Sequence, residues 1–283
     1  MIKLPFSASL VDRCRKALSV EAHVLSGRPE AAAIEIEGAH PSVLCIHGFT
    51  GVPQEVAIGC EVAQGLGLRA RAPCLRGHGS SSDELARTRY QDWYQSVVST
   101  FDDLRKTGPV IVVGLSLGSI IATELVLSAP GDVSGLVLLA NAFWLQAPYP
   151  AWGLDLADRF DVPDFSVKKG ASDYGDEQAG ATHVSYNVQP IRAAASVLRA
   201  GQRVRQELHR VHCPTLILHG AKDRVCPVEN SWRVAEMLGT TQTQVVVLPR
   251  SHHIVTRDRE RDQVRSQLRS FFQRCASGRS VAS

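Results

Sequence analysis

The sequence lacks the features that mark a nucleic-acid-binding or membrane-spanning protein. It contains no block of five or more like charges, and its 31 basic residues nearly balance its 28 acidic ones, so nucleic acid is not expected as a partner. No segment approaches the ~18 uninterrupted apolar residues that a membrane span needs. The apolar segment before Asp12 is also too short for a secretory signal. We therefore expect neither stable membrane insertion nor export.

The cysteines form no metal-binding or redox pattern. The seven are odd in number, contain no C-x-x-C pair and lie partly inside apolar runs, where cysteine behaves as a small hydrophobic residue. This usage favours a reducing compartment, and we predict a cytoplasmic location.

Short apolar runs alternate with helical patterns along the 283 residues. Runs typical of strands buried on both faces occupy residues 42–49, 68–75, 109–115, 135–140, 214–219 and 244–248. Apolar residues recur at helical spacing over residues 90–104 and again over 264–275. Strand and helix in alternation predict an α/β fold, with a mostly parallel twisted sheet flanked by helices.

One region breaks this alternation. Residues 145–210 carry several prolines, a polar glycine-rich patch and then an alanine-rich helical segment. We predict a helical cap or lid at 145–210, inserted between core segments 1–144 and 211–275, with a disordered tail at 276–283. Because the loops after the strands of such a sheet build the active site, the insertion would cover it. A loose surface excursion is the alternative.

The strongest chemical signal is a G-x-S-x-G motif between a predicted strand and a predicted helix. It spans Gly114 to Gly118 and centres on Ser116. A serine in a tight strand-to-helix turn needs small neighbours, and the turn lifts its hydroxyl above the sheet as a nucleophile. The backbone N–H of Leu117 at the helix start is placed to bind a developing oxyanion.

Glycine-rich turns after two other strands offer a second amide donor and two histidines. In the segment H-G-F-T-G at residues 47–51, we predict that the backbone N–H of Phe49 completes an oxyanion hole. His47 is a possible catalytic base, but we favour a structural role for it, with its imidazole bonded to nearby backbone. His78, in a similar turn, is interpreted in the same way.

A serine nucleophile needs a base, and the base needs an orienting carboxylate. In folds that carry this elbow, the chain order is serine, acid, histidine, each after a successive strand. Asp223 follows the strand at 214–219, and the pair His252 and His253 follows the strand at 244–248. A turn or helix-capping role is the alternative for Asp223. The order alone leaves either histidine as the base.

The chain resembles the carboxylesterase and monoacylglycerol-lipase branch of the α/β-hydrolase superfamily over most of its length. The resemblance rests on motifs in that family's order and spacing: H-G-F-T-G, P-C-L-R-G-H-G, Asp92-Trp93, G-L-S-L-G, L-I-L-H-G-A-K-D and L-P-R-S-H-H-I-V-T-R-D. It implies a triad of Ser116, Asp223 and His253, with His252 where relatives often have glycine. Ser119, where many relatives have glycine, departs from the pattern and should cost little inside a helix. An H-H-x-x-x-D acyltransferase motif fails, because Asp258 is one residue too far.

The resemblance implies a serine esterase or lipase that forms an acyl-enzyme and needs no metal or organic cofactor. Its expected partner is a small-molecule ester with an apolar acyl chain. Thioesterases, amidases and acyltransferases use the same triad, and a ligand-binding protein of this fold is a further alternative. Apolar residues after the strand at 135–140 are candidates for the pocket wall or for the lid's own core: Phe143, Trp144, Leu145, Tyr149 and Trp152. The alternating charges at 257–262 are interpreted as a solvated helix face.

Overall fold

A seven-stranded sheet forms the centre of the molecule. The computed structural model describes residues 22–145, 166–170 and 173–277. The strands of the main sheet are β1 (Ile34–Ile36), β2 (Ala39–Ile46), β3 (Leu68–Ala72), β4 (Val110–Leu115), β5 (Val133–Leu139), β8 (Thr215–Gly220) and β9 (Thr243–Leu248). They pair in the order β1-β3-β2-β4-β5-β8-β9. Only β1 in this sheet runs antiparallel to its neighbour.

Helices cover both faces of this sheet, as the alternating pattern predicted. Their bounds are α1 (Ala57–Gln64), α2 (Ser82–Ala86), α3 (Tyr90–Arg105), α4 (Leu117–Ser128), α5 (Glu177–Ala181), α6 (Ile191–Arg205), α7 (Asn230–Met237) and α8 (Arg261–Ser277). Apolar side chains of α3, α4, α6 and α7 bury one face, while those of α1 and α8 bury the other. Because the central strands β4 and β8 are buried along their whole length, their sequences are mostly apolar.

The predicted fold class is confirmed, with two differences in detail. The apolar stripe of α3 is buried through Trp93, Val97 and Phe101 as its spacing predicted. The three-residue edge strand β1 was not predicted, since so short a run carries little periodicity. The interpretation of residues 257–262 as a solvated face is wrong, because Asp258 and Glu260 are buried and α8 begins only at Arg261.

The described part of the predicted insertion contains a small second sheet and two helices. Strands β6 (Ser166–Lys168) and β7 (Val188–Pro190) pair antiparallel, α5 lies between them, and α6 follows β7 and packs on the main domain. Residues 146–165 lie outside the described residues, so the assignment of 145–210 as a lid stays a prediction. No helix within the described ranges is long and apolar enough to cross a membrane.

Candidate active site

Ser116 lies in a sharp turn between β4 and α4, with its backbone in a conformation rare for a residue that has a side chain. Its φ is 54° and its ψ is −115°, while its N–H donates to the Leu139 carbonyl at 2.9 Å. A Cβ at Gly114 would lie 2.1 Å from the Gly118 carbonyl oxygen, and one at Gly118 would lie 2.1 Å from the Ile46 oxygen. The two flanking glycines are therefore required, and they allow the strained turn that the motif predicted.

Parallel strand register brings the loops of the predicted site to one edge of the sheet. Ile46 of β2 pairs with Gly114 of β4, so the segment at residues 47–51 emerges beside Ser116. Gly220 of β8 pairs with Leu248 of β9, so the loops that carry the acid and the histidines also emerge together. The carboxyl edge of the sheet thus gathers every loop singled out from the sequence.

Asp223 and His253 form a buried hydrogen-bonded pair. The Nδ1 atom of His253 lies 2.8 Å from Oδ2 of Asp223. Burial alone lowers the pKa of His253, but the charge and hydrogen bond of Asp223 outweigh burial and raise it above its usual value. Burial alone raises the pKa of Asp223, yet the adjacent His253 and His219 bring it well below its usual range. Asp223 is therefore a carboxylate that orients the His253 imidazole.

A second histidine, which the sequence analysis did not single out, also contacts this carboxylate. The Nε2 atom of His219 lies 3.1 Å from Oδ2 of Asp223 and 3.2 Å from the Cys226 carbonyl oxygen. Backbone N–H groups of Val225 and Cys226 donate to Oδ1 of Asp223, both at 2.8 Å. Both oxygens of Asp223 are therefore held. The available signal was one polar residue inside the apolar strand β8.

Two buried acids, Asp258 and Glu260, accept hydrogen bonds from the loop that carries His253. Asp258 accepts from the backbone N–H of His252 at 2.7 Å, and Glu260 accepts from the Ser251 hydroxyl at 2.8 Å. His252 lies against Gly175, where an added Cβ would approach its Nδ1 to 2.8 Å. Of the two histidines, only His253 contacts Asp223. The structure records no hydrogen bond between the described residues Ser116 and His253, so the full triad stays a prediction.

Two backbone amides beside Ser116 have no hydrogen-bond acceptor in the described part of the chain. Neither the Phe49 N–H nor the Leu117 N–H donates to any residue that the structure describes. Leu117 is the first residue of α4, where backbone N–H groups point toward any anion before the helix. A Cβ at Gly48, next to Phe49, would lie 3.4 Å from Cβ of Ser116. Within the described ranges the two predicted donors are thus unpaired, and both belong to segments that adjoin Ser116.

His47 and His78 bond to backbone rather than to Ser116 or Asp223. The Leu75 N–H donates to Nε2 of His47 at 3.1 Å, and the Thr50 N–H donates to Nε2 of His78 at 3.2 Å. Burial lowers the pKa of both imidazoles. Both histidines therefore have the surroundings of neutral structural groups, as the sequence interpretation favoured.

The candidate pocket residues occupy different environments. Phe143 is buried in the main core and packs on Trp144. Guanidinium groups of Arg205 and Arg233 lie 5.1 and 5.6 Å from the centre of the Trp144 ring, and Leu145 is exposed. Tyr149 and Trp152 lie outside the described residues. Their contact with substrate stays a prediction.

The described residues contain one cluster with metal-ligating atoms, formed by Asp223, Cys226 and His253. Its groups are unsuited to a metal. Burial raises the pKa of the Cys226 thiol well above its usual value, whereas a metal needs the thiolate. Asp223 already uses both oxygens, and His253 uses Nδ1 to contact it. The cluster fits acid–base chemistry better than metal binding.

Comparisons with known proteins give a consistent relationship. The chain matches the family described as serine aminopeptidase, S33, over residues 38–260. It is 27% identical over 256 residues to a thermostable monoacylglycerol lipase of Bacillus sp. (strain H-257), covering 90% of this chain and 98% of that protein.

Two further relatives extend this relationship. The chain is 27% identical over 247 residues to the mitochondrial palmitoyl-protein thioesterase ABHD10 of Homo sapiens, covering 85% of this chain and 76% of that protein. A solved structure described under LipS and LipT, two metagenome-derived lipolytic enzymes, aligns with a TM-score of 0.80 and 26% identity. That alignment covers 89% of this chain and 100% of the other.

Proposed function

The chain belongs to the serine aminopeptidase S33 family of α/β-hydrolases, and from that premise we propose that it hydrolyses carboxylic esters with Ser116 as nucleophile. The buried Asp223–His253 pair, at the same sheet edge as the strained Ser116 turn, carries the proposal. The relatives described as lipolytic enzymes support an ester as the substrate.

The proposed mechanism follows the geometry of these groups. His253 takes the hydroxyl proton of Ser116 as its oxygen attacks the ester carbonyl, and Asp223 stabilises the resulting imidazolium. The amides of Phe49 and Leu117 bind the oxyanion of the tetrahedral intermediate. The alcohol leaves with the proton from His253, and an acyl-enzyme remains. Water, deprotonated by the same imidazole, then releases the acid and restores Ser116.

The proposed substrate is a small ester with an apolar acyl chain. We propose that the acyl chain binds near the carboxyl edge of the sheet, with Phe143, Trp144, Leu145 and Trp152 as candidate lining residues. A cytoplasmic location accords with the six described cysteines, which are all free.

A thioester is the second candidate substrate. The likeness to a palmitoyl-protein thioesterase over 85% of this chain favours it. Ester and thioester pass through the same acyl-enzyme and need the same oxyanion hole, so only the leaving group distinguishes them.

The test is hydrolysis of p-nitrophenyl esters from acetate to palmitate, beside acyl thioesters of the same chain lengths. Ser116→Ala is the blank, and Ser128→Ala, at the far end of the helix that follows Ser116, is the matched control. Loss of activity only in Ser116→Ala supports the proposal, and the preferred leaving group decides between the two candidates. Equal activity in both variants, or no activity on either series, contradicts it.

A further inference from the structure

A buried carboxylate lies directly beneath the segment that carries Phe49. Glu55, in the 3-10 helix Pro53–Val56, has a side chain that is 3% exposed. Its Oε2 accepts from the Gly48 N–H at 3.0 Å. A Cβ at Gly51 would lie 2.1 Å from the same oxygen. The glycines of this turn therefore make room for an acid, and the acid holds the amide next to Phe49.

The Glu55 carboxylate lies near two basic side chains, His183 and Lys169, from the segment between β5 and β8. The Nε2 atom of His183 lies 2.9 Å from Oε1 of Glu55. Burial alone raises the pKa of Glu55, but the contact with His183 and the nearby Lys169 lower it to about 2. Glu55 is thus an anion, and the Lys169 ammonium nearby offsets a charge that would otherwise oppose an oxyanion.

Thr50, on the other side of Phe49, is fixed just as firmly. Its φ of 66° is unusual for a residue with a branched side chain. Its N–H donates to His78, its carbonyl accepts from the Tyr186 N–H at 2.9 Å, and its hydroxyl oxygen accepts from Lys169 Nζ at 2.9 Å. Three contacts hold a strained residue that directly follows Phe49.

The Phe49 amide therefore lies between two clamped residues and donates to none of the residues that the structure describes. An amide aimed in advance at the developing charge stabilises a transition state without reorganisation. We propose that Glu55 is a positioning residue for the oxyanion hole. Glu55 holds the Phe49 N–H in place through its contact with Gly48, and Lys169 and His183 are the partners of Glu55. This inference rests on the proposed function of Ser116 and names a group that neither the triad nor the family match assigns.

Two variants of Glu55 distinguish the effect of where its carboxyl oxygens lie from the effect of their negative charge. Glu55→Gln keeps an acceptor at the same place without the charge, whereas Glu55→Asp keeps the charge but shortens the side chain by one methylene. Misplacing one oxyanion donor costs about 10² to 10³ in turnover. We expect Glu55→Asp to lower kcat by about 10²-fold with KM nearly constant. Glu55→Gln, as the conservative replacement, should lower kcat by no more than about tenfold.

The measurements are kcat and KM on the preferred p-nitrophenyl ester, the rate of covalent labelling by a fluorophosphonate, and the melting temperature. Labelling also places negative charge on an oxygen in the hole, so it should slow in parallel with kcat. Glu61→Asp and Glu61→Gln, at an exposed acid paired with Arg265, are the matched controls.

The outcomes separate this inference from the proposed function. The positioning role of Glu55 is supported if turnover and labelling are both slower in Glu55→Asp than in Glu55→Gln. The reverse order overturns it, and so does a Glu55→Asp variant with a lower melting temperature but unchanged kcat and labelling. If the unaltered protein is labelled but hydrolyses no ester, the ester function fails and the labelling rates still judge Glu55. No labelling of the unaltered protein overturns both.

Discussion

Replacing Asp223 with asparagine should move the imidazole proton of His253 from Nδ1 to Nε2. Oδ1 of Asp223 accepts two backbone N–H groups at 2.8 Å, so the carbonyl oxygen of the new amide must take that position. Its NH2 group then faces Nδ1 of His253 in place of Oδ2. An N–H donor there favours the imidazole tautomer with the proton on Nε2, which cannot accept the proton of Ser116.

The expected loss in kcat for Asp223→Asn is about 10⁴-fold near pH 8. The pH profile should change as well. In the unaltered protein, Asp223 raises the pKa of His253, so activity should rise with pH along a limb above the reference value of about 6.5. Without the carboxylate, burial lowers that pKa and the limb moves to lower pH. The ratio of unaltered to variant activity should therefore shrink as pH falls from about 8 to about 6.

The assay is kcat/KM on a p-nitrophenyl ester from pH 5 to pH 9. Asp262→Asn, at an exposed position in the first turn of α8, is the matched control and should behave as the unaltered protein. An Asp223→Asn variant within tenfold of the unaltered protein at pH 8 would refute the role of this carboxylate. If the rise of activity with pH occurs at the same pH in both proteins, the effect of Asp223 on the pKa of His253 is refuted.

Three further predictions concern Gly114, His219 and Glu55. Gly114→Ala should abolish activity and lower the melting temperature, because its Cβ meets backbone at 2.1 Å, whereas Gly131→Ala, with no atom within 4 Å, should change neither. His219→Gln should lower kcat about tenfold by loosening Asp223, while His209→Gln, at an exposed histidine, should not; equal effects in the two variants would refute this. Glu55 has a folded-state pKa of about 2 against 4.5 ordinarily, so it stabilises the fold by about 3 kcal/mol above pH 4.5, and this is lost as pH falls toward 2. Urea unfolding should show Glu55→Gln less stable than the unaltered protein at pH 7 and nearly equal to it at pH 2.

The sequence predicted the parts of the fold and site that depend on local pattern and chain order. Apolar runs buried on both faces indicated the central strands, and the helical stripe indicated α3. The pairing of Asp223 with His253 followed from their spacing after successive strands and from the family resemblance, which separated His253 from His252.

The parts that sequence did not predict depend on neighbours distant along the chain. His219 contacts Asp223 from the end of β8, and Glu55 contacts His183, 128 residues away. Asp258 is buried because it accepts backbone N–H groups from Gly175 and His252. None of these contacts leaves a periodic or spacing signal in the sequence. Asp258, an acid in a run of alternating charges, was therefore interpreted as solvated, although it is buried and holds the loop that carries His253.

The proposed role of Ser116 is that of a nucleophile activated by His253. Its most direct test is labelling of the intact protein with a fluorophosphonate, followed by mass spectrometry of the labelled peptide. We expect one labelled residue, Ser116, and labelling slowed by several powers of ten in His253→Ala. Labelling at another residue, or an undiminished rate in His253→Ala, would contradict it.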